Sequence, residues 1–295
     1  LKAVLAALTL LAVAASMAAA QDRCFGGSID DPGGCRFEAP RWAGEIASLG
    51  ANGMIGGLTA GLIQHFRGGS FRDGFTRGML GGAVSYLGKR AAAERFGGAG
   101  MLGRAIAAVG ASGVRNASQA LPLLSRITLP VGPVWLDVEP ARRSVSARLD
   151  PAALAWLVYG AIEPELEIDW TETLSAGTPV FMTDGKLLEL SGDSVHAAGV
   201  TNAGVIFVAD IPAYGESYLR RYLAHERVHV LQEDQLAIQW TDPVVAWAAR
   251  RVPLLREVHE NIGYNLSTEI LRVFAGVISR HGDRPWELEA IFFAR

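Results

Sequence analysis

Charge of either sign is scarce in this sequence, and so are cysteine and aromatic residues. Only 19% of its 295 residues are Asp, Glu, Lys or Arg, and they leave a net charge of −3. Nucleic-acid binding draws much of its affinity from basic side chains that neutralise phosphates. No long basic patch interleaved with aromatics occurs in the chain, so nucleic acid is not an expected partner. Cys24 and Cys35 are the only two cysteines. Both lie in a short stretch rich in Gly, Pro and Asp, where they could close a small loop in an oxidising compartment but could not staple a fold. Half of the residues are hydrophobic, enough for one substantial core plus a smaller appendage.

What the chain does have is unevenly distributed. Lys2 precedes an apolar run from Ala3 to Ser16, and Ala18-Ala19-Ala20 gives the small-x-small pattern that a signal peptidase accepts. Residues 1–20 are therefore expected to be a signal peptide and residues 21–43 a polar linker carrying the cysteine pair. The expected destination is the bacterial periplasm or cell envelope.

Residues 44–120 form a glycine-rich region: 19 of the 34 glycines fall between Gly44 and Gly113. Gly53, Gly57 and Gly61 recur every fourth residue, as do Gly74, Gly78 and Gly82. On a helix that spacing lays a flat stripe along one face and lets two backbones approach closely. A weak internal repeat, Gly53-Met54-Ile55-Gly56-Gly57 against Gly78-Met79-Leu80-Gly81-Gly82, predicts a hairpin of two such helices. Between Glu45 and Arg67 stand 21 residues without a formal charge, long enough to span a bilayer. Ser48, Asn52, Thr59, Gln64 and His65 interrupt that run, so membrane association through residues 44–115 and a soluble helical array are both open.

From about Leu121 the pattern changes to short alternating runs. Strands are expected at Ile127–Val138 (broken by Pro130, Gly132 and Pro133), Ser144–Leu149, Glu165–Thr171, Thr178–Thr183, Lys186–Leu190 and Gly204–Ala209. Thr183-Asp184-Gly185-Lys186 has hairpin chemistry. Asp150 and Pro151 read as N-cap and first residue of a helix to Ala161. From Gly215 onward the pattern is helical. Strands followed by helices argue an α+β domain over residues 121–295.

The helix expected at about Glu216–Gln235 carries His225-Glu226-Arg227-Val228-His229. Two histidines four apart lie about 40° apart around an α-helix, one turn above the other. Both imidazoles can then reach one zinc ion from the same side. Glu226 projects beside that ion, placed to take a proton from water whose pKa the metal lowers. Leu219, Leu223 and Val230 supply the core-facing stripe, and Val205-Ile206-Phe207-Val208 is expected to be the edge strand bordering a cleft.

Catalytic zinc takes a third protein ligand and keeps one position open. Gln235 stands where the metzincin pattern HExxHxxGxxH needs a further histidine, six residues on, and Gln232 stands at its glycine, which excludes that pattern. Two acidic residues near the end, Glu287 and Glu289, point to nearly opposite faces of a helix started by Pro285. Glu287 shares its face with Ala290 and Ala294 and is favoured as the ligand; Glu289 has Trp286, Phe292 and Phe293 around it.

The run His225-Glu226-Arg227-Val228-His229-Val230-Leu231-Gln232 resembles the active-site helix of gluzincin-like zinc peptidases, and Glu287-Leu288-Glu289-Ala290 is similar to their ligand helix. The resemblance covers roughly residues 204–295. It implies a zincin-like catalytic domain in which His225, His229 and Glu287 hold Zn2+ and Glu226 acts as general base on a peptide or protein substrate. The family also places an Asp four residues after the ligand Glu to support a histidine, where this chain has Ile291. A zincin-fold scaffold without catalysis, acting in envelope or membrane assembly through its glycine-rich helices, is the alternative expectation. His259, Tyr264 and His281 are candidates for stabilising an oxyanion. Asn116-Ala117-Ser118 matches a glycosylation acceptor formally and is read as coincidence.

Overall fold

A computed structural model describes residues 41–94, 96–184, 199–210, 215–263 and 285–294. The expected signal peptide, the cysteine pair, Gly185 and Lys186 of the expected hairpin, the strand expected at Lys186–Leu190, Tyr264 and His281 lie outside them. The described chain is a mixed α and β structure. It opens with three helices, α1 (Arg41–Phe66), α2 (Phe71–Ala92) and α3 (Ala99–Ser118). Gly68, at φ +83°, ends the first, since only glycine enters that left-handed conformation without a Cβ penalty. Ser70 caps the second by accepting from the Asp73 N–H.

The two copies of the glycine repeat face each other across α1 and α2. A Cβ on Gly78 would lie 2.3 Å from the Gly56 carbonyl oxygen, and one on Gly82 only 2.1 Å from that of Asn52. Gly88 and Gly103 build a second such seam between α2 and α3, against Ala107 and Ala92. The stripes are thus used inside the chain, backbone against backbone. Gly50 is different: it is exposed in α1, and nothing lies within 4 Å of an added Cβ. Gly82→Ala and Gly50→Ala should therefore shift thermal unfolding in opposite directions. The first should lose about 1–3 kcal/mol because the methyl group must push two helices apart. The second should gain about 0.5–1 kcal/mol from reduced unfolded-state entropy. Losses of equal size would contradict the packing.

After the helices come two sheets. The first is the antiparallel meander β1 (Ile127–Val131), β2 (Val134–Glu139) and β3 (Ser144–Leu149). The single expected strand at Ile127–Val138 is a hairpin, folded at Gly132 (φ +55°), with Pro130 tolerated because β1 is an edge. Helix α4 (Pro151–Ile162) follows, and Asp150 caps it as expected, accepting from the Ala152 and Ala153 N–H groups at 3.0 and 3.1 Å.

The second sheet has the order β4 (Glu167–Ile168), β5 (Val180–Asp184), β7 (Val205–Asp210), β6 (Gly199–Asn202). Strands β5 and β7 are parallel and the other pairs antiparallel. Two expectations are corrected here. Glu165–Thr171 is a strand only at β4, because Asp169 accepts from the Glu172 N–H and starts helix α5 (Trp170–Ala176). The run Val205–Val208 is an interior strand, not an edge. Its continuous burial is what a strand covered on both faces requires. The edge is β6, turned back from β7 by Ala203 and Gly204, both at positive φ.

The long helix α6 (Glu216–Leu236) runs through a π-helical turn, Ala237–Thr241, into α7 (Asp242–Ala249), followed by α8 (Pro253–Asn261) and α9 (Pro285–Ala294). The main apolar core joins Ala92 and Ala107 of the glycine-rich helices to Val180, Ile206 and Val208 of the sheet and to Leu223, Val230 and Leu231 of α6. Leu219 packs at its margin, so the expected stripe on α6 does face the core. Arg104 of α3 reaches across to Asp234 of α6 at 2.7 Å and to the Gly177 carbonyl at 2.7 Å. The core therefore crosses the sequence boundary near residue 120.

A second buried cluster ties α3 to the meander and α7. Arg148 donates to Asp137 and to Asp242, each at 2.7 Å, and Arg115 donates to Asp242 at 3.1 Å. Burial alone would raise the Asp242 carboxyl, but the charges of Arg148, Arg115 and Arg126 outweigh it and hold it well below the carboxylate range. Asn116 is buried and donates to the Leu123 and Arg126 carbonyls.

Candidate metal centre

Helix α6 is anchored by one face and offers the other. Val228, Val230 and Leu231 are buried, and Arg227 beside them donates to Glu172 of α5 at 2.6 Å. That orientation leaves His225 and His229 one turn apart on a single face. Helix α9 meets this face because Ala290, fully buried, lets it come close: Ala290 and Phe293 pack on Val228 of α6 and Tyr86 of α2. At the other end of α9 the ring of Phe292 lies where a side chain on Gly44 of α1 would be.

The result is a triangle of donor atoms. His225 Nε2 and His229 Nε2 are 2.9 Å apart. Glu287 Oε2 lies 3.3 Å from the first and 3.2 Å from the second. Zinc–nitrogen and zinc–oxygen bonds of about 2.0–2.1 Å at tetrahedral angles place neighbouring ligand atoms about 3.3 Å apart. The two histidine–carboxylate separations match that spacing, and the histidine pair, at 2.9 Å, has to open slightly for the three side chains to take three corners of a zinc tetrahedron. The donor chemistry fits as well, with two imidazole nitrogens and one carboxylate oxygen. Among the described residues this is the one group of His, Cys, Asp and Glu side chains arranged to hold a metal ion.

The electrostatics follow from that crowding. Burial alone would lower the His229 pKa, but the Glu287 carboxylate, the charge of Glu226 and a hydrogen bond to Gln232 push it up to about 9. A metal ion entering the triangle must displace that proton.

Glu226 is buried beside the edge strand. The Thr201 hydroxyl donates to its Oε2 at 2.8 Å. Its Oε1 lies where a side chain on Gly199 would be, 2.9 Å from the position of the missing Cβ. Strand β6 therefore orients this carboxylate with a hydroxyl on one residue and makes room for it with a glycine two residues earlier, on the same face of the strand.

Sequence reasoning brought His225, Glu226, His229 and Glu287 together; the structure gathers the donor atoms of His225, His229 and Glu287, while the Glu226 carboxylate is held by Thr201 of β6. It missed the partners. Gln232, to which no role at the metal was given, accepts a hydrogen bond from His229 Nδ1 at 2.7 Å. Its position three residues after His229, on the same helix face, was the available signal. Glu289, expected only to have aromatic neighbours, has polar partners. Its carboxylate accepts from Asn52 at 2.6 Å, Lys89 at 2.8 Å and Gln232 at 2.8 Å. Burial would raise this carboxyl, but the Lys89 charge and these hydrogen bonds hold it below its ordinary value. His259, on α8, lies 3.7 Å from Asp242 in the other buried cluster, so its contacts are not with the triangle.

Compared with known proteins, the chain matches no family model, no curated protein and no solved structure.

Proposed function

We propose that this protein is a zinc-dependent peptidase with a zincin-like catalytic domain, exported to the cell envelope. The observation that carries the reading is the triangle His225–His229–Glu287, with donor separations of 2.9–3.3 Å and with Glu226 next to the first histidine. When bound, zinc supplies Lewis-acid polarisation of the scissile carbonyl and lowers the pKa of water. The chain's own residues do the rest. Glu226 accepts the proton of the attacking water and passes it to the departing amine. Thr201 keeps Glu226 Oε2 hydrogen-bonded, which fixes the rotamer from which the carboxylate acts. Gln232 holds the proton of His229 on Nδ1, so that Nε2 presents its lone pair.

That last contact bears on the alternative of a zinc-holding scaffold without catalysis. The scaffold reading drew on Ile291, which stands where the resembled family has an Asp supporting a histidine. In this chain a different residue, Gln232, supports one of the histidines, His229. The assembly reading drew on the glycine stripes, and these are used between α1, α2 and α3.

Helix α1 is long and apolar enough over Trp42–Phe66 to cross a membrane by length and composition, with 39% of its most apolar window buried. Its exposed side chains divide between two opposite faces, Trp42 and Ile46 on one and Ile55 and Phe66 on the other, so a tethered form of the peptidase resting on a membrane would present one of these pairs to it. The test of the function is cleavage of a degenerate peptide library by the full chain, with Glu226→Gln as the control.

A further inference from the structure

Two charged or polar side chains from the glycine-rich helices are buried where packing alone gives no reason for them. Asn52 of α1 and Lys89 of α2 are each 3% exposed. They sit beside the closest approach of the two helices, at Gly82 against the Asn52 backbone. Lys89 Nζ donates to Asn52 Oδ1 at 2.9 Å and to Glu289 Oε2 at 2.8 Å. Asn52 Nδ2 donates to Glu289 Oε1 at 2.6 Å and to the Ser48 carbonyl at 2.9 Å. Each partner thereby fixes the other, and both carboxylate oxygens of Glu289 are held in place.

Glu289 in turn decides how Gln232 is turned. The Gln232 amide nitrogen donates to Glu289 Oε2 at 2.8 Å and to the Trp286 carbonyl at 3.0 Å. An amide has two N–H donors and one carbonyl acceptor. With both donors committed to this side, its oxygen must face the other way, where His229 Nδ1 lies at 2.7 Å. Reversing the amide would set an –NH2 group against an imidazole N–H and leave an acceptor facing the Glu289 carboxylate. Hydrogen bonding at Nδ1 is what leaves Nε2 bare for a metal.

We propose that Lys89 and Asn52 are positioning residues for the metal ligand His229, acting through Glu289 and Gln232. This rests on the zinc reading of the triangle. The glycine-rich helices are then an outer layer of the metal centre: their close approach, which only glycine permits, sets the Lys89–Asn52 pair against α9. A purely structural tie between α2 and α9 would need Lys89 and Glu289 but not the chain of oriented amides that ends on a ligand.

The experiment is zinc affinity of the full chain, measured by competition with a chromophoric chelator, for wild type, Lys89→Met, Lys89→Arg and Asp242→Asn. Loss of a group supporting a metal ligand weakens binding about 10–100-fold. Lys89→Met should fall near the lower end, about tenfold, and Lys89→Arg should recover part of it. Asp242→Asn removes charge from the other buried cluster and should lower thermal stability with zinc affinity unchanged. If Lys89→Met does not fold, Glu289→Gln is measured in the same way and should weaken binding similarly. Wild-type affinity in a folded Lys89→Met chain, or in folded Glu289→Gln, overturns this inference alone. No zinc binding by the wild type overturns the zinc reading and this inference with it.

Discussion

Glu226→Gln should abolish most peptide cleavage while the protein keeps its zinc. The substitution is isosteric, so the amide oxygen can still accept the Thr201 hydroxyl that bonds Glu226 Oε2 at 2.8 Å. His225, His229 and Glu287 are untouched. What disappears is a base able to take a proton from water. General acid–base groups contribute about 10²–10⁴-fold to rate, and kcat for a peptide bond identified in the library should fall by that factor. Near-wild-type cleavage by Glu226→Gln would remove Glu226 from the mechanism. Thr201→Val offers an internal comparison, since it leaves the base in place and removes only the group that orients it.

The largest loss of stability should come from Asp242→Ala, far from the metal centre. Arg148 and Arg115 both donate to this buried carboxylate, and removing it leaves two buried guanidiniums short of an anion. Breaking a buried pair from one side costs about 3–5 kcal/mol. The pH dependence has a definite sign. In the unfolded chain Asp242 titrates near its ordinary value, about 3.9, and in the folded chain the neighbouring arginines depress it well below that. Its contribution to stability is therefore complete above about pH 4 and is lost as pH falls towards the folded value. Denaturant titrations should show a gap between wild type and variant that is full at pH 7 and narrows below about pH 4. A gap independent of pH would mean that Asp242 acts through packing and not through its charge.

How much of this was legible in the sequence depended on the range of the interaction. The α1–α2 hairpin was readable because Gly53–Gly57 and Gly78–Gly82 repeat a local spacing, and local spacing is what sets a helix face. The pair His225 and His229 was readable for the same reason. Glu287 was favoured over Glu289 because it shares a helix face with Ala290 and Ala294, and the structure brings it to both histidines. Lys89 and Glu289 are 200 residues apart, and no periodicity connects them. Their pairing follows from α9 closing on Val228 and Tyr86, a tertiary event. Strand β6 was missed because four residues, Gly199–Asn202, are too few to display an alternation. The misreading of Val205–Val208 as an edge came from position: the run precedes α6 closely, but its unbroken apolar character was the signature of an interior strand. Asp169-Trp170-Thr171 was read as the end of a strand although a capping Asp followed three residues later by a Glu, Glu172, is a helix start.

The division of the chain at residue 120 was drawn from composition, and composition does change there. Packing does not respect it. Ala92 and Ala107 share the core with Ile206 and Leu231, and Arg104 pairs with Asp234. The glycine-rich helices are accordingly part of what holds α6 in place, and through Lys89 and Asn52 they reach the ligand helix as well.

The central claim is that His225, His229 and Glu287 hold one zinc ion, and the most direct measurement is the metal content of the purified full chain after equilibrium dialysis against zinc, beside His229→Ala and Glu287→Ala. The geometry predicts about one zinc per chain in the wild type, as a single site with three protein ligands requires, and its loss in both variants. A wild type that holds no zinc, or variants that hold as much as the wild type, would contradict it.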